Sequence, residues 1–137
     1  KKPSQGGGPA YYFHINEAGQ LLIAGGEYLP PTPRLRAIRN RVVEDAAGFT
    51  KMRNNKKLVA TYGDLQEEGK LQRPPKGFDP DTPNIEYVKL KSFIVWTEED
   101  IRKKIPADLG KQVLEGFKDA YPLVQWLREI PLVTIEE

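Results

Sequence analysis

Apolar and polar residues alternate from Ala10 to Asn16. Tyr11, Phe13 and Ile15 fall on one side and Tyr12, His14 and Asn16 on the other, which is the two-residue period of a β-strand. Glu17-Ala18-Gly19 reads as a short hairpin connection, with glycine free to take positive φ. Gln20 to Tyr28 reads as the returning strand. Inside it, Gly25-Gly26 marks either a bulge or a place where another group approaches the backbone closely. Pro30-Pro31 ends the sheet, with Thr32 the expected N-cap and Pro33 the first helical position. The period then changes: Leu35, Ile38, Val42 and Phe49 share an arc of about 60° on a helix, which Gly48 is expected to break in two. A further helical segment from Lys56 to Tyr62 stops at Gly63, and Asp64 to Lys70 is polar and expected to be exposed.

Pro74 to Pro83 holds four prolines and a glycine in ten residues, so it forms neither a helix nor a central strand. Its phenylalanine and three charged groups set it apart from an idle linker. Asn84 to Lys89 suits one or two helical turns. Leu90 to Trp96 reads as a strand, with Lys91, Phe93 and Val95 on one face. Thr97-Glu98-Glu99-Asp100 has the composition of a helix start. Leu109, Val113, Phe117, Ala120, Val124 and Leu127 keep within about an 80° arc across Pro122, which predicts one long helix, kinked near that proline. The pattern gives an α+β fold: a small antiparallel sheet, made of a hairpin over 10–28 plus a strand over 90–96, packed against several helices. The first strand is left with an open edge.

The chain has 137 residues, 39% hydrophobic and 29% charged, which fits one soluble domain over 10–130. It is flanked by a flexible glycine-rich segment over 1–9 and a tail over 131–137. Helix does not follow Gly6-Gly7-Gly8, so these glycines are weak evidence for a phosphate loop. With 21 basic against 19 acidic residues, the chain lacks the strong field of a nucleic-acid binder. Arg34, Arg36, Arg39 and Arg41 scatter around their helix and read as a solvated surface. The absence of cysteine excludes disulfides, thiolate metal sites and a cysteine nucleophile. No membrane span or signal peptide is visible, so a cytoplasmic location is expected. Residue 1 is Lys rather than Met, so a fragment or a processed product is expected.

Candidate chemistry gathers on a few polar residues. His14 is the sole histidine and could move a proton near neutral pH; the alternative is a hydrogen-bonded strand residue. Asp79 and Asp81 flank Pro80, suited either to a hard cation or to fixing the turn through backbone N–H groups. Lys91, on an apolar strand face, has to snorkel or pair with an acid. Asp79 is the expected partner, in a clasp holding the proline-rich segment to the sheet. The competing account is a basic pocket of Lys76, Lys91 and His14 receiving a small anion.

Tyr11-Tyr12-Phe13-His14-Ile15, Gly25-Gly26, Ile38-Arg39, Pro75-Lys76-Gly77-Phe78-Asp79-Pro80-Asp81 and Leu90-Lys91-Ser92-Phe93 occur in this order in the widespread domain of unknown function 2461. The chain resembles that family from about Ala10 to Leu127. The resemblance implies that the chain corresponds to the C-terminal two thirds of a family member. An absent portion of helices and a strand would then precede the glycine loop and cover the open edge. Thr82 departs from the family pattern, where histidine commonly stands. The resemblance implies an architecture and supplies no activity or cofactor.

Three functional readings follow. The first is a small anionic ligand bound around His14, Lys76, Asp79, Asp81 and Lys91. The second is an interaction module using the open edge, including self-association through strand 11–16. Nucleic-acid binding ranks last. Whether the chain is an enzyme stays open, since no nucleophile–base pair or metal cluster is apparent.

Overall fold

A computed structural model describes residues 8–102 and 107–132. Most of the expected flexible start (1–7) and tail (133–137) lies outside the described residues. The fold is α+β. Strand β1 (Ala10–Ile15) and strand β2 (Gln20–Glu27) form the expected hairpin. Gly19 turns it with φ 77°, donating its N–H to the Asn16 carbonyl at 3.0 Å. The two ladders run without a slip, from Ala10↔Gly26 to Ile15↔Leu21 and from Gln20↔Asp100 to Glu27↔Phe93. Gly25-Gly26 is therefore no bulge, and close approach explains it. A Cβ at Gly25 would lie 2.7 Å from the Ala120 Cβ, and one at Gly26 would lie 2.2 Å from the Phe93 carbonyl oxygen.

Strand β3 (Phe93–Asp100) starts three residues later than the alternation predicts and runs four further. Thr97 to Asp100 are not a helix start; they pair with Ile23, Leu22, Leu21 and Gln20. A capping signal is local and worth about 1 kcal/mol. Here the open side of β2 offers four residues of ladder, and tertiary pairing prevails. The sheet order is β1-β2-β3.

Helix α1 (Thr32–Glu44) takes Pro31 as N-cap, with no side-chain bond from Thr32, so the cap lies one residue earlier than expected. The break before helix α2 (Ala46–Arg53) falls at Asp45 rather than Gly48. Asp45 accepts the Gly48 N–H at 3.2 Å, and a Cβ at 48 would stand 2.1 Å from its Oδ2. Glycine thus admits the cap instead of breaking the helix. Helix α3 (Lys56–Tyr62) ends at Gly63, φ 77°, and helix α4 (Ile85–Val88) is one turn. The segment between them is not wholly exposed: Leu65 is buried, and Gln66 donates its N–H to the Ile94 carbonyl. Helix α5 (Leu109–Arg128) continues through Pro122.

The core lies between α5, the shorter helices and one face of the sheet. Ile38, Val42, Phe49, Val88, Phe93, Val95, Leu123 and Leu127 are buried together. The Phe49 ring meets Tyr87, Phe93 and Trp126 edge-on at 5.0–6.5 Å, a favoured aromatic geometry. Leu21, Ile23 and Val113 form a second cluster beside it. No described helix is long and apolar enough to cross a membrane.

One arginine overturns the expectation of a solvated helix surface. Arg34 is 2% exposed. Its guanidinium forks onto the buried Glu27 and donates to the Leu127 and Ile130 carbonyls at 2.9 Å, at and just beyond the end of α5. A buried charge survives when it is paired and its donors are filled, which a helical-wheel angle does not reveal. Arg39 is half-buried, donating to the Leu90 carbonyl at 2.9 Å, and burial lowers its pKa.

Candidate functional site: an open sheet edge beside the C-terminal helix

The five polar residues expected to converge do not meet. His14 is exposed near the turn end of β1, in a cross-strand row with Leu22 and Glu98. Lys91 lies in the bend before β3, exposed, and not on an apolar strand face as expected; its stem passes Gly69. From Phe93 to the row of His14 is five residues of β3, about 17 Å at roughly 3.3 Å per residue. His14 and Lys91 therefore belong to opposite ends of the sheet. Lys76, Asp79 and Asp81 are exposed on the proline-rich turn. Asp79 accepts the Asp81 N–H at 2.9 Å, fixing the turn as Asp commonly does. Among the described residues no ion pair joins Asp79 to either lysine. Phe78, packed against the core, holds the segment instead, and the Arg36 guanidinium lies over Gly77.

The residues that do come together line the free side of β1. Asn16 donates its N–H to the Gln20 carbonyl at 3.1 Å. In an antiparallel ladder hydrogen-bonded pairs alternate, so His14, Tyr12 and Ala10 also bond toward β2. Tyr11, Phe13 and Ile15 direct their N–H and C=O groups outward. The Ile101 N–H bond to the Gly19 carbonyl confirms the alternation on the other side of β2. No described strand pairs with that outward edge.

Side chains on this edge are apolar and incompletely covered. Phe13 is 57% exposed and Ile15 44%. Beside them α5 presents Leu114, Phe117, Tyr121 and Arg128, spaced three, four and seven residues apart and so on one flank. Phe117 packs at a tilt against Tyr11, ring centres 5.0 Å apart, and reaches Phe13 at 6.5 Å. The Arg128 guanidinium lies 5.9 Å from the Tyr11 ring, within cation–π range. Leu114 is 60% exposed, and Tyr121 is also exposed. Burial raises the Tyr11 and Tyr12 phenols above their ordinary value, so both are neutral at pH 7. Sequence reasoning assigned Phe117 to the core and missed Leu114 and Tyr121; the signal was this second stripe along the same helix.

The profile of the conserved hypothetical protein family DUF2461 matches residues 1–126. The chain belongs to that family. The match takes in the glycine-rich start as well as the stretch on which the resemblance was drawn. No curated protein and no solved structure matches the chain.

This DUF2461 domain also carries a cleft of about 760 Å³ on the other flank of α5, lined by Glu98, Glu99, Glu115, Asp119 and Lys111 among others. Two of its acids already hold partners: Asp119 accepts from the Thr61 hydroxyl at 2.6 Å, and Glu99 accepts from Gln112. Among the described residues no group of three His, Cys, Asp or Glu side chains is placed to hold a metal ion.

Proposed function

We propose that this domain is an interaction module that accepts a β-strand on the outer edge of β1. The observation carrying this reading is the coincidence of three features. Outward backbone donors and acceptors stand at Tyr11, Phe13 and Ile15. The strand carries no charged residue from Ala10 to Asn16. The apolar flank Leu114–Phe117–Tyr121 lies beside the strand on the helix-covered side of the sheet. Natural edges are normally blunted by charge, proline or a bulge, and strand addition draws affinity from main-chain bonds and specificity from alternate side chains. Each apolar cross-strand pair adds roughly 0.2–1 kcal/mol.

The test uses a cyclised hairpin peptide with a free Val/Thr edge, followed by amide NMR shifts. Binding should move the Tyr11, Phe13 and Ile15 amides. Phe13→Pro should abolish it, because proline removes an outward N–H that β2 does not use, and the fold should persist. Unmoved amides in the wild-type chain would end the reading.

The anionic-ligand reading narrows to the Lys76 turn, where Arg36 lies over Gly77. Inorganic phosphate should then shift the Lys76 and Gly77 amides and leave those of His14 and Lys91 in place.

A further inference from the structure

We propose that helix α1 and the strap over 71–78 together bind a phosphate monoester, held as its dianion by Arg36, Arg39 and Lys76; this rests on the anion reading of the Lys76 turn and names its ligand. The strap is fixed at both ends. The Leu71 N–H bonds to the Lys89 carbonyl at 2.9 Å, and the Phe78 N–H closes a turn onto the Pro75 carbonyl at 3.1 Å. Gly77 has φ 95°, the positive angle that glycine supplies at the third position of a turn. A Cβ there would lie 3.2 Å from Arg36 Nη2, so the bare backbone lets the guanidinium settle on the turn next to Lys76. Arg39, three residues on and on the same flank of α1, is anchored through Nη2 to the Leu90 carbonyl. Leu90 follows Lys89, so Arg39 stands beside the start of the strap and Arg36 beside its end.

These cations lack counter-charges. Among the described residues Arg36, Arg39, Arg73 and Lys76 form no ion pair, whereas the neighbouring Lys70 and Lys89 share Glu86. Asp79, the nearest acid along the chain, turns back to the Asp81 N–H. Arg39 is half-buried, and its Nε–H is enclosed with no acceptor among the described residues. An enclosed donor on an unpaired charge is costly, and a counter-ion brought alongside relieves that cost. No described backbone carbonyl accepts the N–H of Lys76 or Gly77, so main-chain donors stand beside the ammonium. Guanidinium forks and a lysine point charge are the groups that hold phosphate. A tetrahedral dianion can face α1 and the turn at once; a planar, singly charged carboxylate leaves two of the three cations unmatched.

NMR titrations of the full chain with methyl phosphate, dimethyl phosphate and acetate, at matched ionic strength, test the ligand class. Methyl phosphate should shift the Lys76 and Gly77 amides together with the Arg39 Nε–H signal. Its affinity should rise between about pH 5 and 7, through a second ionisation near 6. Dimethyl phosphate and acetate, each limited to one charge, should bind at least about tenfold more weakly, the loss of one charge-assisted bond. Arg36→Ala, at an exposed position, should weaken methyl phosphate by about the same factor, with unchanged circular dichroism. Equal binding by dimethyl phosphate or acetate would overturn the monoester and leave the anion reading intact. A silent Arg39 Nε–H, or wild-type affinity in Arg36→Ala, would overturn the part given to α1. Amides that none of the three anions moves would overturn both the ligand and the anion reading.

Discussion

The two edges of this sheet are built from the same backbone and treated in opposite ways. On β3 the Ile94 carbonyl is taken by the Gln66 N–H at 3.0 Å, and the far half carries Glu98, Glu99 and Asp100. On β1 the outward groups of Tyr11, Phe13 and Ile15 meet no described strand, and no charge stands among them. Covering and charging are the usual ways of making an edge unattractive to other strands. Among the described residues one edge has both and the other has neither.

The contrast requires α5 to be held firmly along the sheet, and the largest expected effect tests that hold. Arg34→Ala leaves Glu27 buried without a partner and should cost about 3–5 kcal/mol, read as a lowered urea midpoint. Gly25→Val forces a side chain into the 2.7 Å contact with Ala120 and should cost about 1–3 kcal/mol. It should also part Phe117 from Tyr11, visible as loss of their mutual nuclear Overhauser contacts.

Tyr62 ties α3 to α5 by donating its hydroxyl to the Gly116 carbonyl at 2.6 Å, and burial pushes its phenol up to about 12. In the unfolded chain a tyrosine ionises near 10. The stabilisation is therefore complete below pH 10 and is lost as pH rises toward 12. Tyr62→Phe should lose about 1 kcal/mol at neutral pH and flatten that alkaline decline.

Stripping the protected edge sharpens the contrast directly. Glu98→Thr with Asp100→Thr should leave the melting temperature nearly unchanged and produce new concentration-dependent species in light scattering. If no such species form, charge is not what separates the two edges. The smallest effect concerns acid. Arg102, bonded to Asp100, holds its carboxyl down at about 2, so this charge on the β3 edge should persist in acid until pH approaches that value. A carboxyl carbon titration by NMR checks it, and Arg102→Ala should raise the midpoint.

Much of the architecture was legible because it rests on local periodicity. The hairpin over Ala10 to Tyr28, the stop at Gly63 and the stripe running through Pro122 all follow from neighbouring residues. Errors occurred where a distant partner decides the outcome. Thr97 to Asp100 has the composition of a helix start yet extends a strand, because β2 stands beside it. Arg34 has the spacing of a surface residue yet is buried, because Glu27 and the end of α5 close around it. The expected convergence of the polar residues did not occur, for the same reason. His14 and Lys91 both belong to the sheet region, but the β2–β3 register sends them to opposite ends, and a one-dimensional reading has no access to register.

Arg34 also sets an order of events during synthesis. Its guanidinium donates to the Pro131 carbonyl, 97 residues further along the chain, and to Ile130 just before it. While a ribosome is still adding the intervening residues, that cation and Glu27 have only each other and water. The enclosed ion pair therefore forms after the last turn of α5 has been made, and the nascent chain waits with its principal latch undone, the interval in which chaperone engagement and proteolysis have their best access.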